Sequence, residues 1–244
     1  MANPLYDNLI GKHATNDACF LRQPGKPTVS FRQFSERTSQ VANLLLKHGL
    51  KPGDRVAVQA SKTVEMVILY GATIQAGGVF LSLNTDYKKD EISYFIKDAS
   101  PKIFVCDPQK RKELEQITGQ VGSQVLTLDK DGQGSLQSQA NILSKTFNTV
   151  DRGPDDLVAL LYTSGTTGRS KGAMLTQNNL LSNAKTLKNL WEVNEDDILI
   201  HALPIFHTHG LFVALNTALL AGAEVTFLQK FEITEIIEAI RAST

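Results

Sequence analysis

The chain has 244 residues, of which 42% are hydrophobic, so it is long enough to bury one large core or two smaller ones. Its 25 basic residues balance its 25 acidic residues, which argues against binding nucleic acid or a membrane surface through bulk charge. Cys19 and Cys106 lie far apart and match no metal-ligand spacing, a pattern typical of core residues in a reducing compartment.

The amino terminus and the most apolar stretch argue against export or membrane insertion. The first residues have neither the apolar run of a secretory signal nor the Arg-rich pattern of a mitochondrial presequence. Residues 210–228 contain Asn216, Thr217 and Glu224, so they predict a helix, a turn and a strand instead of a membrane span. We therefore expect a cytoplasmic location.

The first half of the chain predicts alternating strands and helices. Residues 29–31 form a candidate strand, and residues 32–48 place apolar side chains on one helical face, with Gly49 where a carboxyl-terminal cap belongs. Further strands are predicted at 55–59, 79–83, 102–106 and 124–128, and helices at 63–76, 90–99 and 109–117. Residues 129–135 are rich in turn-forming residues and predict an exposed loop within the domain.

The second half continues this alternation. Residues 157–162 predict a buried strand, and Thr176 is placed to cap a helix that begins near Gln177. Strands are also predicted at 172–175, 197–202 and 223–228, and helices at 211–220 and 233–242. The pattern predicts an α/β fold in which doubly wound, mostly parallel sheet layers are flanked by helices. Ligands bind at the carboxyl ends of strands in such sheets.

The segment after the strand at 157–162 consists almost wholly of Gly, Ser and Thr. It reads Thr163-Ser164-Gly165-Thr166-Thr167-Gly168-Arg169-Ser170-Lys171. Glycines let backbone N–H groups turn toward a ligand, hydroxyls donate hydrogen bonds and Lys171 supplies a charge, which together suit a phosphate. The Walker spacing is not met, because Ser170 stands where the second Gly belongs and Gly172 follows Lys171. The loop is therefore predicted to join two strands.

Residues 162–172, YTSGTTGRSKG, resemble the phosphate-binding signature of the adenylate-forming enzymes, which include acyl-CoA synthetases, luciferases and peptide-synthetase adenylation domains. LKPGDRVAV at 50–58 and AGGVFLSLN at 76–84 also look like early core elements of that family, although Ser82 stands where Pro is usual. The resemblance implies that residues 1–244 form an incomplete N-terminal AMP-binding domain without the small C-terminal domain. Residues 162–231 look particularly similar to malonyl-CoA synthetases, which implies a place in fatty acid metabolism.

Three histidines lie in the stretch HALPIFHTHG at 201–210. This stretch resembles the family motif in which an aromatic or His side chain shapes the carboxylate-substrate pocket, and the resemblance gives that role to His207. A metal site is the alternative, but no Cys or acidic residue is near, so it ranks lower. His201 is predicted to be a packing residue at the end of a strand, and the role of His209 stays open.

The resemblance implies ATP-dependent activation of a carboxylic acid to an acyl-adenylate, which then reacts with coenzyme A. It assigns catalytic roles to Lys171 and His207, and it assigns binding of the ATP phosphates, with Mg²⁺ sharing the charge, to Thr163, Ser164, Gly165, Thr166, Thr167, Gly168 and Lys171. The expected partners are a small carboxylic acid, ATP and coenzyme A, and no nucleic acid. Family members are much longer, so a second hypothesis stays open: a non-catalytic nucleotide-binding, anion-binding or interaction module that keeps only the phosphate loop.

Overall fold

The computed structural model describes residues 3–163 and 170–243. The predicted phosphate contacts of Ser164, Gly165, Thr166, Thr167 and Gly168 therefore lie outside the described residues. The strands are β1 (Cys19–Arg22), β2 (Val29–Ser30), β3 (Arg55–Gln59), β4 (Val79–Ser82), β5 (Ile103–Cys106), β6 (Gln124–Thr127), β7 (Leu157–Thr163), β8 (Lys171–Thr176), β9 (Ile198–His201) and β10 (Glu224–Phe227). The helices are α1 (Pro4–Leu9), α2 (Phe31–Lys47), α3 (Val64–Gln75), α4 (Lys89–Ala99), α5 (Arg111–Thr118), α6 (Ser135–Ala140), α7 (Gln177–Leu190), α8 (Asn216–Ala221) and α9 (Ile233–Ser243).

The described strands divide between two sheets. The larger sheet has the order β6-β5-β3-β4-β7-β8, and its neighbours are parallel except for the antiparallel pair β7 and β8. The smaller sheet has the order β2-β1-β10-β9, in which β1, β10 and β9 are parallel and β2 is antiparallel to β1. The predicted α/β class with mostly parallel sheet layers is confirmed. The periodicity of the sequence did not reveal which strands belong to which sheet.

Helices α2 and α3 fill the space between the two sheets. Every residue of α3 except Glu65 is buried, as expected for a helix packed on all sides. Tyr70 of α3 packs edge-on against Phe80 of β4, and Phe34 of α2 packs edge-on against Phe20 of β1. One continuous core therefore joins both sheets through these helices, and a second core lies between the outer face of the larger sheet and helices α4 and α5.

Local signals placed several helix ends correctly. The Thr176 hydroxyl accepts a hydrogen bond from the Asn179 amide at 3.2 Å, as a cap of α7 should. Gly49 ends α2 with a φ of 79°, a conformation that favours glycine. The predicted helix at 211–220 is helical throughout, with π-helical geometry over His209–Leu215 and α-helical geometry in α8. The short elements α1 and β1 were not predicted, because few residues carry their pattern.

The two cysteines are free thiols, with Cys106 buried and Cys19 half-buried. Within the described ranges, 3–163 and 170–243, no helix has both the length and the apolar character needed to cross a membrane.

Candidate active site at the carboxyl ends of the strands

The base of the Gly/Ser/Thr loop is a β-hairpin. Thr163 at the end of β7 pairs with Lys171 at the start of β8, and Tyr162 pairs with Gly172. The prediction that this loop joins two strands is therefore confirmed. Thr163 and Lys171 are both exposed.

Helix α4 contacts strand β7 and the residue that precedes β8. The Tyr162 hydroxyl donates a hydrogen bond of 2.5 Å to the Asp98 carboxylate, and the Tyr94 hydroxyl donates one of 3.0 Å to the Ser170 carbonyl oxygen. The ring of Phe95 lies 4.4 Å from that of Tyr162, measured between centroids. Burial, reinforced by the hydrogen bond to Asp98, raises the pKa of the Tyr162 phenol. These contacts position the base of the loop, and the sequence pattern did not reveal them.

His207 lies beyond the carboxyl end of β9, on residues 202–209, which we call the pocket segment. Its side chain is exposed and its ring lies 4.4 Å from the ring of Phe206. The Ser82 hydroxyl at the end of β4 donates a hydrogen bond of 3.2 Å to the Phe206 carbonyl oxygen. The sequence analysis noted Ser82 only as a departure from the usual Pro, whereas in the structure it tethers the pocket segment.

The tether places the pocket segment on the same edge of the larger sheet as the hairpin. Strand β4 pairs with β7, with Leu81 opposite Leu160, so Ser82 and Thr163 both lie near the carboxyl ends of neighbouring parallel strands. This edge is where ligands bind in parallel α/β sheets. The fold therefore brings the predicted residues Thr163, Lys171 and His207 to one edge, although they come from different parts of the chain.

His201 and Lys62 form a contact that sequence analysis missed. The Lys62 side-chain nitrogen lies 2.8 Å from Nδ1 of His201 and 2.9 Å from the His201 carbonyl oxygen. His201 is buried and its ring stacks against Phe227, as suits a packing residue. Lys62 belongs to no recognised motif. Its position just after β3 and before α3, at the carboxyl end of a strand, was the only available signal.

The histidines of this region do not form a metal site among the described residues. In the ranges 3–163 and 170–243, no group of three His, Cys, Asp or Glu side chains is arranged to hold a metal ion. Nδ1 of His201 faces Lys62, and Nε2 lies 2.8 Å from the Gly210 carbonyl oxygen, so both ring nitrogens have protein partners. His209 begins the π-helical segment and is exposed.

Comparison with known proteins identifies the family to which the chain belongs. Residues 11–244 match the profile described as AMP-binding enzyme. The chain belongs to the AMP-binding enzyme family. The ATP-bound structure of MatB from Rhodopseudomonas palustris is 49% identical with a TM-score of 0.96, over 99% of this chain and 48% of MatB.

Two curated relatives within the AMP-binding family are CoA ligases. The oxalate–CoA ligase of Arabidopsis thaliana is 32% identical over 228 residues, which cover 91% of this chain and 44% of that protein. The malonate–CoA ligase of Arabidopsis thaliana is 26% identical over 244 residues, which cover 93% of this chain and 40% of that protein. The chain therefore spans less than half the length of these relatives. The family and the fold expected from residues 162–172 are confirmed.

Proposed function

We propose that the full-length protein containing this chain is an AMP-forming acid–thiol ligase. In its first step a carboxylate attacks the α-phosphorus of ATP, which gives an acyl-adenylate and releases pyrophosphate. In the second step the thiol of coenzyme A attacks the acyl carbonyl and AMP leaves. The observation that carries this proposal is the 49% identity to ATP-bound MatB across 99% of the chain, which includes the hairpin and the pocket segment.

The hairpin loop is assigned to the phosphates of ATP. Thr163 and Lys171 stand at its base, and the hydroxyls and backbone N–H groups of Ser164, Gly165, Thr166, Thr167 and Gly168 would surround the β- and γ-phosphates. Pyrophosphate carries more charge as it leaves, so a fixed ammonium and fixed donors stabilise the transition state more than they stabilise bound ATP. No nucleophilic side chain is required, because the substrate carboxylate is itself the nucleophile.

The pocket segment is assigned to the carboxylic acid. His207 is exposed on that segment, and the bond from Ser82 to the Phe206 carbonyl holds the adjacent residue. A fixed imidazole beside the acid orients it toward the nucleotide, and orientation of two bound reactants lowers the entropic part of the barrier. His207 therefore shapes the acid site and Lys171 acts on the phosphates.

Mg²⁺ and coenzyme A complete the proposal as partners of the reaction. Mg²⁺ arrives with ATP and neutralises phosphate charge, and we assign no residue of this chain to it.

The cytoplasm is the proposed location. Among acids, malonate is favoured by the similarity of residues 162–231 to malonyl-CoA synthetases, and the relatives named above add a second dicarboxylate, oxalate, as a competitor.

The test uses the full-length protein with ATP, Mg²⁺ and coenzyme A, and measures AMP and pyrophosphate with malonate, oxalate, acetate or a fatty acid. We expect the highest kcat/KM with malonate. The variant His207→Ala should raise the KM for the acid and leave the KM for ATP unchanged, because His207 lies on the pocket segment. Absence of pyrophosphate release with every acid would overturn the proposal and favour a non-catalytic binding module.

The 244-residue chain by itself is the second arm of this test. We expect it to bind ATP weakly and to form no acyl-CoA, because the three relatives named above are more than twice as long and the chain covers only 40% to 48% of them. Sustained acyl-CoA formation by the chain alone would contradict the proposal that further residues complete the active site.

A further inference from the structure

Lys62 connects the two sheets at the edge where the site lies. It follows β3 of the larger sheet, yet its partners belong to β9 and β10 of the smaller one. Its side-chain nitrogen contacts Nδ1 and the carbonyl oxygen of His201, and it also lies 4.5 Å from the centroid of the Phe227 ring. An imidazole nitrogen, a carbonyl oxygen and an aromatic face are all uncharged groups that attract a cation. Within residues 3–163 and 170–243, the Lys62 side-chain nitrogen therefore has these uncharged partners and no ion pair with a carboxylate.

His201 is fixed in one tautomer by its two partners. A carbonyl oxygen only accepts, so Nε2 must carry the proton that it donates to Gly210 at 2.8 Å. Nδ1 then accepts from Lys62. Burial, with the neighbouring Lys62 charge adding to it, lowers the pKa of His201 to about 4. The ring is therefore neutral at physiological pH and serves as a relay between Lys62 and the Gly210 carbonyl.

These bonds close the two ends of the pocket segment, residues 202–209. His201 precedes the segment and Gly210 follows it, so the imidazole of His201 bridges its ends. Gly210 also packs so closely on the Pro204 carbonyl oxygen that a Cβ there would overlap it. The segment therefore forms a closed loop whose base is the chain of contacts from Lys62 through His201 to Gly210. His207 is exposed on this loop, and among the described contacts its side chain has a ring contact with Phe206 but no hydrogen bond.

We propose that Lys62 and His201 are positioning residues that hold His207 in place through the closed base of the pocket segment. The proposal deepens the proposed function, because the assignment of His207 to the acid site rests on it. Lys62 fixes the amino end of the segment directly through the His201 carbonyl, and it fixes the carboxyl end indirectly through the imidazole. Loss of the Lys62 ammonium leaves Nδ1 without its donor, so the ring is free to turn and release Gly210.

The first experiment follows His201 and His207 by side-chain ¹⁵N NMR in the 244-residue chain. We compare the unaltered chain with Lys62→Met, which keeps the length of the side chain without a donor, and with Lys62→Arg, which restores a donor. Lys47→Met, at an exposed position at the end of α2, is the matched control. Unaltered chain and control should show one Nε2–H tautomer of His201 and one set of His207 signals. Lys62→Met should shift both residues, and Lys62→Arg should reverse part of the shift.

The second experiment measures the same variants in the full-length protein. We expect Lys62→Met to raise the KM for the acid about tenfold, because small misplacements of a positioning group have large effects, while the KM for ATP stays constant. Thermal unfolding controls for loss of fold, and the NMR arm does not depend on enzymatic activity. If the full-length protein lacks activity, the proposed function fails, while the NMR arm still decides whether Lys62 positions His207.

Lys62 also lines a cavity of about 400 Å³ beside Phe206 and Phe231, so direct contact with a ligand is the competing explanation. Unchanged His207 signals in Lys62→Met, whether the KM for the acid rises or not, would overturn the positioning role. With a raised KM, that result would instead identify Lys62 as a group that touches the acid itself.

Discussion

The phenol of Tyr162 donates a hydrogen bond to the carboxylate of Asp98, 64 residues earlier in the chain. This contact ties the last turn of α4 to β7, the strand that precedes the Gly/Ser/Thr loop. We expect Tyr162→Phe to lower the free energy of unfolding by about 1 kcal/mol, the usual net value of one such bond. Urea denaturation measures the change.

Two further variants test the same contact. Asp98→Asn keeps an acceptor for Tyr162, so it should cost less than Tyr162→Phe. Tyr94→Phe removes a bond to the Ser170 carbonyl oxygen, which is a neutral acceptor, and it should also cost less, because a hydrogen bond to a charged carboxylate is stronger. Equal stability of Tyr162→Phe and the unaltered chain would show that the bond to Asp98 does not hold the hairpin.

Gly210 is required by close approach and not by its backbone conformation. A Cβ at this position would overlap the Pro204 carbonyl oxygen, so we expect Gly210→Ala to destabilise the chain by about 1–3 kcal/mol, as overpacking does. Gly119→Ala is the control, because nothing lies within 4 Å of a Cβ there. Thermal and urea unfolding of both variants check this, and a Gly210→Ala chain as stable as Gly119→Ala would contradict the close contact.

Lys171 is exposed, so its substitution should change the rate of the reaction without changing the stability of the fold. In the full-length protein, Lys171→Ala should slow acyl-adenylate formation about 10²-fold, a typical effect of removing one fixed group that stabilises transition-state charge. Its unfolding temperature should not change. Lys185→Ala, at an exposed position on α7, serves as the control, and pyrophosphate release in a single turnover is the measurement. An unchanged rate would remove Lys171 from the mechanism.

The Lys62 ammonium makes stability depend on pH. Burial lowers the pKa of Lys62 to about 7, whereas in an unfolded chain a Lys titrates near about 10.4. From about pH 7 to about pH 10 the unfolded chain therefore binds more protons than the folded chain, and the contribution of Lys62 to stability rises with pH. Below that window both states are protonated and the contribution is constant.

Lys62→Met isolates this effect between about pH 7 and about pH 10, because it removes the group whose titration differs there between the folded and unfolded chains. The pKa of the adjacent His201, at about 4, lies outside the window. The free energy of unfolding of the unaltered chain minus that of Lys62→Met should increase from about pH 7 to about pH 10. Urea denaturation at several pH values gives this difference. A constant difference would show that the pKa of Lys62 is the same in the folded and unfolded chains.

Local patterns in the sequence located most of the elements. The caps at Thr176 and Gly49 act within a few residues of their helix, so the sequence alone placed those ends. The apolar run before Thr163 and the composition of the loop after it gave both the hairpin and the family. The helix predicted at 211–220 begins with π-helical geometry, because periodicity does not distinguish a wide helical turn from a regular one before the chain packs.

Such local patterns did not predict the contacts between distant parts of the chain. Ser82 and Phe206 are separated by 124 residues, and Lys62 and His201 by 139. No local pattern marks Lys62, since a lysine after a strand is usually an exposed residue. Its role appears only when the carboxyl ends of the two sheets meet.

The sequence by itself determined the α/β class and the family, and it singled out the Gly/Ser/Thr loop and the segment with His207 as candidates, because each of these motifs depends on residue types at short spacing. Only the tertiary structure divided the strands between two sheets and joined the sheets at one edge through Lys62 and His201. The alternation of residues along a strand predicts which of its faces is apolar. Which strands lie beside it depends on packing with elements far away in the chain.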